Sequence, residues 1–236
     1  APSLSPTHSP SDAPSLSPSK SPTKKPSDAP TNAPSDAPSL SPSKSPTQSP
    51  FVCVRPLDLG FVIDNSGSIP KGGLDKAKAF AVEVVNSFTL GPEHAMFSVQ
   101  YFSSNVGGLL SFSDNYQDIV NAIDIISNPK GSTFTGGAIK YFANTYLPLS
   151  RRFSKFMVLI TDGVPTKGAN KVNPVNYAIQ QTEVMKAMYP SVLIITIGVG
   201  TFNKDFLRVI SSKGPDREPL MYSINNFEDL DGIIRS

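Results

Sequence analysis

Two aspartates and three hydroxyls, spread over three segments, have the makings of one metal site. Asp64, Ser66 and Ser68 form D-x-S-x-S in LDLGFVIDNSGSIP, Thr133 sits in KGSTFTGGAI, and Asp162 closes FMVLITDG. Carboxylate and hydroxyl oxygens are hard ligands; they suit Mg²⁺, Mn²⁺ or Ca²⁺ and suit zinc poorly. Two carboxylates roughly offset the charge of a dication, and hydroxyls coordinate without adding charge. Such a metal stays electrophilic and accepts a further oxygen from outside. Taken singly, each residue also has an ordinary role: Ser66 and Ser68 as turn residues, Asp64 as the acceptor at a helix start, Thr133 as part of a glycine-flanked loop. What sets them apart is position, because each falls where an apolar strand should end.

The elements that would carry them alternate. Leu57 to Ile63 reads as a continuous apolar strand, and Leu74, Ala77, Ala81, Val84, Val85 and Phe88 mark a helical stripe within 71–88. Ala95 to Phe102 and Gly108 to Phe112 read as strands joined by the turn Ser103 to Gly107. Asp114 is placed to cap a helix from Tyr116 to Ile126. Helices are expected over Gly136 to Tyr146, Pro174 to Met188 and Lys204 to Ser211, and from Phe227 towards Ser236. Strands are expected at Lys155 to Thr161, Ser191 to Gly198 and Leu220 to Ile224. This alternation predicts an α/β fold, a doubly wound and mostly parallel sheet with helices on both faces. The Tyr101-to-Leu110 connection is too short for a crossover, so one edge strand should be antiparallel. In such a sheet ligands bind outside the carboxyl ends of the strands, where the five oxygen-bearing residues fall.

Composition changes at residue 50. Residues 1–50 hold 13 of the 23 prolines, one at every fourth position from Pro2 to Pro50, and SDAPSLSPSKSPT occurs at both 11–23 and 35–47. With no aromatic residue and only Leu4, Leu16 and Leu40 as large aliphatics, this segment cannot bury enough apolar surface to offset its ordering entropy. It is expected to be a disordered, polyproline-II-biased stalk, up to roughly 155 Å long at about 3.1 Å per residue. Ser/Thr- and Pro-rich stalks of this kind are candidates for O-glycosylation, which fits a cell surface or wall; phosphorylated Ser-Pro sites inside a cell are the alternative. Residues 51–236 have globular composition. Four lysines and three aspartates lie in the first 50 residues, which leaves 17 basic and 16 acidic residues here. A balance so near zero gives no support for nucleic-acid or membrane-surface binding. No run reaches the roughly 18 apolar residues of a membrane helix. Ala1 opens inside the repeat, so the chain reads as a mature piece or fragment without a visible leader.

Three metal-loop segments and a strand, in order and at domain-sized spacing, resemble the von Willebrand factor type A family, which includes the inserted domains of integrins. FVIDNSGSI is similar to its first strand and metal loop, GSTFTGGAI to its second metal loop, VLITDGVPT to its third and IITIGVG to its penultimate strand; the resemblance covers roughly residues 55–235. It implies a metal-ion-dependent adhesion site at Asp64, Ser66, Ser68, Thr133 and Asp162, with Thr133 preferred over Thr135 as the first threonine of T-x-T-G. It further implies that the open metal position takes an Asp or Glu carboxylate of a partner protein, and that the last helix moves when it does. In extracellular members a cysteine placed like Cys53 pairs with one after the last helix, here beyond Ser236; a free thiol is the other reading.

Other chemistries fit less well. D-x-S-x-S lacks the glycine an EF-hand wants, with Ile69 in that place. His94 is the only histidine of residues 51–236, which removes a Ser-His-Asp set, and no phosphate loop occurs. A metal-assisted hydrolase would need a base that these segments do not offer. The expectation is therefore a non-enzymatic, divalent-metal-dependent protein-binding module in adhesion, matrix or cell-wall assembly, with an intracellular scaffold as the alternative.

Overall fold

The computed structural model describes residues 56–70, 72–151, 154–169 and 171–230. The Pro/Ser-rich segment 1–50, Cys53 and the last helix beyond Leu230 lie outside the described residues.

Six strands form one sheet. They are β1 (Leu57–Asp64), β2 (Ala95–Phe102), β3 (Val106–Ser113), β4 (Ser154–Thr161), β5 (Val192–Val199) and β6 (Met221–Ile224), in the order β3-β2-β1-β4-β5-β6. All pairs are parallel except β2 with β3, so the expected antiparallel edge strand is present. Every residue of β1 is buried, which is why the central strand reads as one apolar run. Its side chains alternate between two cores. Leu57, Leu59, Phe61 and Ile63 pack under α1 (Gly73–Asn86) and α2 (Tyr116–Asp124). Val62 faces the opposite core, built by α3 (Thr135–Tyr141), α4 (Pro174–Met188) and α5 (Lys204–Ile210).

Three details depart from expectation. The N-cap of α2 is Asn115, whose side chain accepts from Gln117 N at 3.0 Å and Asp118 N at 3.3 Å, and not Asp114. The helix expected over Gly136 to Tyr146 is α-helical only to Tyr141; Phe142–Tyr146 form a π turn and Leu147–Leu149 a 3-10 turn. Tertiary contacts account for that change of pitch. The Tyr146 hydroxyl donates to Val99 O at 3.0 Å, and the Phe142 ring lies so close over Gly60 that a Cβ there would sit 2.1 Å from it. Phe227–Leu230, where the last helix was expected to begin, form a 3-10 turn with Phe227 and Leu230 buried in the α1 core.

Chain order reverses beside β1: the chain leaves it for β2 on one side, and β4 comes in on the other. That reversal opens a crevice at the carboxyl ends of β1 and β4. At the other end of the sheet, Asp58 is fully buried on β1 and held by Arg151, with Nε donating at 2.9 Å and Nη2 at 2.5 Å to Oδ1. Arg151 N–H and Ser150 Oγ satisfy Oδ2 at 2.7 and 2.8 Å. This clamp fixes the far end of the sheet.

Candidate metal centre

Asp64 is the last residue of β1, and Asp162 directly follows β4. In the register Ile63 pairs with Ile160, so the two strand ends lie side by side and both carboxylates enter the same crevice. The loop after β1 then folds over the switch point. Asn65 N–H donates to Phe102 O at 2.9 Å, and Ser66 N–H turns back onto Asp64 Oδ1 at 2.8 Å. Ser66 and Ser68 thereby present their hydroxyls 3.1 Å apart.

The segment that carries Thr133 is tied to the first. Gly67 N–H donates to Gly131 O at 2.9 Å, and the Asn65 side-chain amide donates to Ser127 O at 2.5 Å. Phe134 N–H donates to Ser103 O at 3.0 Å, and the Thr133 carbonyl accepts from Thr166 N–H at 3.0 Å and Lys167 N–H at 3.2 Å. So held, Thr133 Oγ1 donates to Ser66 Oγ at 3.2 Å, and Ser68 Oγ donates to Asp162 Oδ1 at 2.8 Å. All five residues singled out in the sequence meet in one continuous polar chain, from Thr133 through Ser66 and Ser68 to Asp162, with Asp64 beneath. A Cβ added at Gly163 would lie 3.3 Å from Ser68 Oγ and 3.5 Å from Thr133 Oγ1, which shows how tightly the three loops close. Thr135 stays apart: it starts α3, and its hydroxyl is buried with no hydrogen-bond partner among the described residues.

Two members escaped the sequence reading. Thr161 Oγ1 donates to Asp64 Oδ2 at 2.6 Å and accepts from Gly163 N–H at 3.2 Å. Thr166 Oγ1 accepts from Thr133 N–H at 2.8 Å. Thr161 reads as an ordinary strand residue; the one signal was its place just before Asp162.

Burial sets the electrostatics of the two carboxylates. Asp64 is 1 % exposed, and burial pushes its carboxyl up to about 6 against the hydrogen bonds from Thr161 and Ser66. Burial also raises Asp162, which the bond from Ser68 only partly opposes. The ion pairs seen among the described residues, Lys78 with Asp124 and Arg151 with Asp58, involve neither carboxylate, and Lys76 lines the groove beside Asp162. A buried anion is ordinarily compensated by a cation or a metal. Two carboxylates with three neutral hydroxyls fit a hard divalent ion. A groove of about 500 Å³ leads away from Ser68 and Asp162 past Gly73 and Val199 to Phe227, leaving the site open to solvent on that side.

Residues 58–236 match the family model described as von Willebrand factor type A domain. Collagen alpha-5(VI) chain of Mus musculus is 30% identical over 182 residues, covering 75% of this chain and 6% of that protein. Matrilin-1 of Bos taurus is 27% identical over 171 residues, covering 69% of this chain and 29% of that protein. The chain therefore spans a minor part of the relatives it matches. Proximal thread matrix protein 1 from the mussel byssus, solved with a zinc-occupied MIDAS motif, superposes with TM-score 0.66 at 26% identity, covering 78% of this chain and 45% of that one. The fold, its topology and the family model together establish that this chain belongs to the von Willebrand factor type A domain family.

Proposed function

We propose that this domain binds a protein partner through a divalent metal held by Asp64, Ser66, Ser68, Thr133 and Asp162, in matrix or cell-wall assembly outside the cell. The observation that carries the reading is the carboxylate pair at the switch point with three linked hydroxyls beside it: Thr133 to Ser66, Ser66 to Ser68 and Ser68 to Asp162, with Asp64 held by the Ser66 N–H. Ser66, Ser68, Thr133 and Asp162 would supply direct oxygens, with Asp64 lending charge and orienting Ser66 through its N–H. When bound, the metal supplies a Lewis-acidic position that takes a partner's Asp or Glu carboxylate. Mg²⁺ is the ion best matched to this donor set. The mussel byssus protein was solved with zinc in its motif, so Zn²⁺ is the competitor to test against it.

The matrix setting draws support from the relatives, which are collagen chains, matrilins and a byssus matrix protein. The Ser/Thr- and Pro-rich repeat, a candidate for O-glycosylation, fits the same setting. Binding is favoured over hydrolysis because, among the described residues, no histidine lies beside the five to act as a base. His94 lies at the far end of the sheet, its carbonyl accepting from Leu57 N–H at 3.1 Å.

Calorimetric titration of Mg²⁺ and Mn²⁺ into the full chain, beside Asp64→Ala and Asp162→Ala, tests the reading. Binding heat in the wild type and none in either folded variant is expected. Undiminished heat in Asp162→Ala, or none in the folded wild type, would reject it.

A further inference from the structure

We propose that the cleft beside the metal centre seats a second acidic side chain of the protein partner, two to three residues from the one that reaches the metal. This rests on the metal-dependent reading above. The cleft has a volume of about 550 Å³ and lies between the β2–β3 turn, α3 and the start of α4. It begins one residue from a ligand. Phe134 follows Thr133, and the backbone of Lys167 holds the Thr133 carbonyl.

The floor is apolar and fixed: Phe134 stacks on Tyr177 with ring centroids 5.9 Å apart, and Lys167 Nζ lies 5.0 Å from the centre of the Phe134 ring. The rim is cationic. Lys167 Nζ donates to the Ser104 carbonyl, and an ammonium group has three donors, so others remain to face the cleft. The side chains of Lys140, Asn105 and Asn144 line the same space, and among the described residues none has a hydrogen bond or ion pair. Among the described residues no Asp or Glu lines it. Two ammonium groups and two free amides without an opposing acid select an anion. Phe134 is already taken up by Tyr177 and Lys167, and Tyr177 is buried. That favours an acidic side chain over a stacked sugar ring.

Spacing follows from the helix. Lys140 lies five residues along α3 from Thr135, about 8 Å at about 1.5 Å per residue. An extended partner segment covers that distance in two to three residues at about 3.3 Å each.

The test uses two capped glycine-based octapeptides, one with a single Glu and one with two Glu three residues apart. They are titrated by NMR into the full chain with saturating Mg²⁺ at low salt. The two-Glu peptide should bind roughly fivefold more tightly, the scale of an exposed ion pair. Lys140→Gln should erase that advantage and leave single-Glu binding and the Mg²⁺ heat unchanged. Lys213→Gln, in the loop after α5, should preserve it. Equal binding of the two peptides, binding of neither, or an advantage that survives Lys140→Gln would overturn the proposal while leaving the metal site standing. A sulfated disaccharide bound more tightly than the two-Glu peptide, and lost in Lys140→Gln, would overturn it in favour of a glycan. Absence of Mg²⁺ heat in the wild type would remove the metal reading and this proposal with it.

Discussion

Without metal, the domain should lose stability as the pH rises from 4 to 6, with Asp64 the main cause and Asp162 acting in the same direction. Its carboxyl is raised from 3.8 to about 6 in the folded protein, mainly by burial. In that window the folded state holds a proton that the unfolded state has already released. The slope of stability against pH is therefore negative there. The contribution of the neutral carboxyl is complete below 3.8 and is lost as pH passes through 6. Two pKa units at 1.36 kcal/mol each amount to about 3 kcal/mol. Asp64→Asn keeps the volume and the acceptor for Ser66 N–H but never takes up the charge. In EDTA at pH 7 the Asn variant should be more stable than the wild type, by up to about 3 kcal/mol, and the difference should vanish near pH 4. Urea unfolding of both proteins from pH 4 to 7.5 measures it, and taking the difference cancels the other carboxylates. Mg²⁺ at about 100 times its Kd should add about 2.7 kcal/mol to the wild type above pH 6 and nothing to Asp64→Asn. An Asn variant less stable than the wild type at pH 7 in EDTA, or equal metal stabilisation of both, would refute the reasoning.

Further expectations follow from named contacts. Thr133→Ala should weaken Mg²⁺ binding about tenfold or more by calorimetry, whereas Thr135→Ala, outside the hydroxyl chain, should leave the affinity unchanged. Arg151→Ala leaves Asp58 buried and unpaired and should destabilise the fold by about 3–5 kcal/mol in urea without altering metal affinity. Gly60→Ala drives a methyl into the Phe142 ring and should cost about 1–3 kcal/mol, seen as a lower Tm.

How much of this was legible depended on whether the cause was local. The bounds of α4 were readable because Asn173 caps it and Pro174 occupies its first turn, both sequence-local devices. Asp64, Ser66, Ser68 and Asp162 were legible because an apolar run ends just before each loop that carries them. Thr161 was not, since its role is set by the β1–β4 register across 97 residues. The Asp58–Arg151 clamp joins residues 93 apart, and nothing in LDLGFVID distinguishes Asp58 from a surface residue. The π turn at Phe142–Tyr146 hid behind helix-forming sequence; its extra residue follows from contacts with Val99 and Gly60 in other strands. Asn115 displaced Asp114 as a cap because two adjacent residues had equal capping chemistry and the backbone chose between them.

The measurement that bears most directly on the central claim is anomalous diffraction from crystals of the full chain soaked in Mn²⁺. The account predicts one strong peak among Ser66, Ser68, Thr133 and Asp162, absent from Asp162→Ala crystals. A peak elsewhere with this cluster empty, or one that persists in Asp162→Ala, would contradict it.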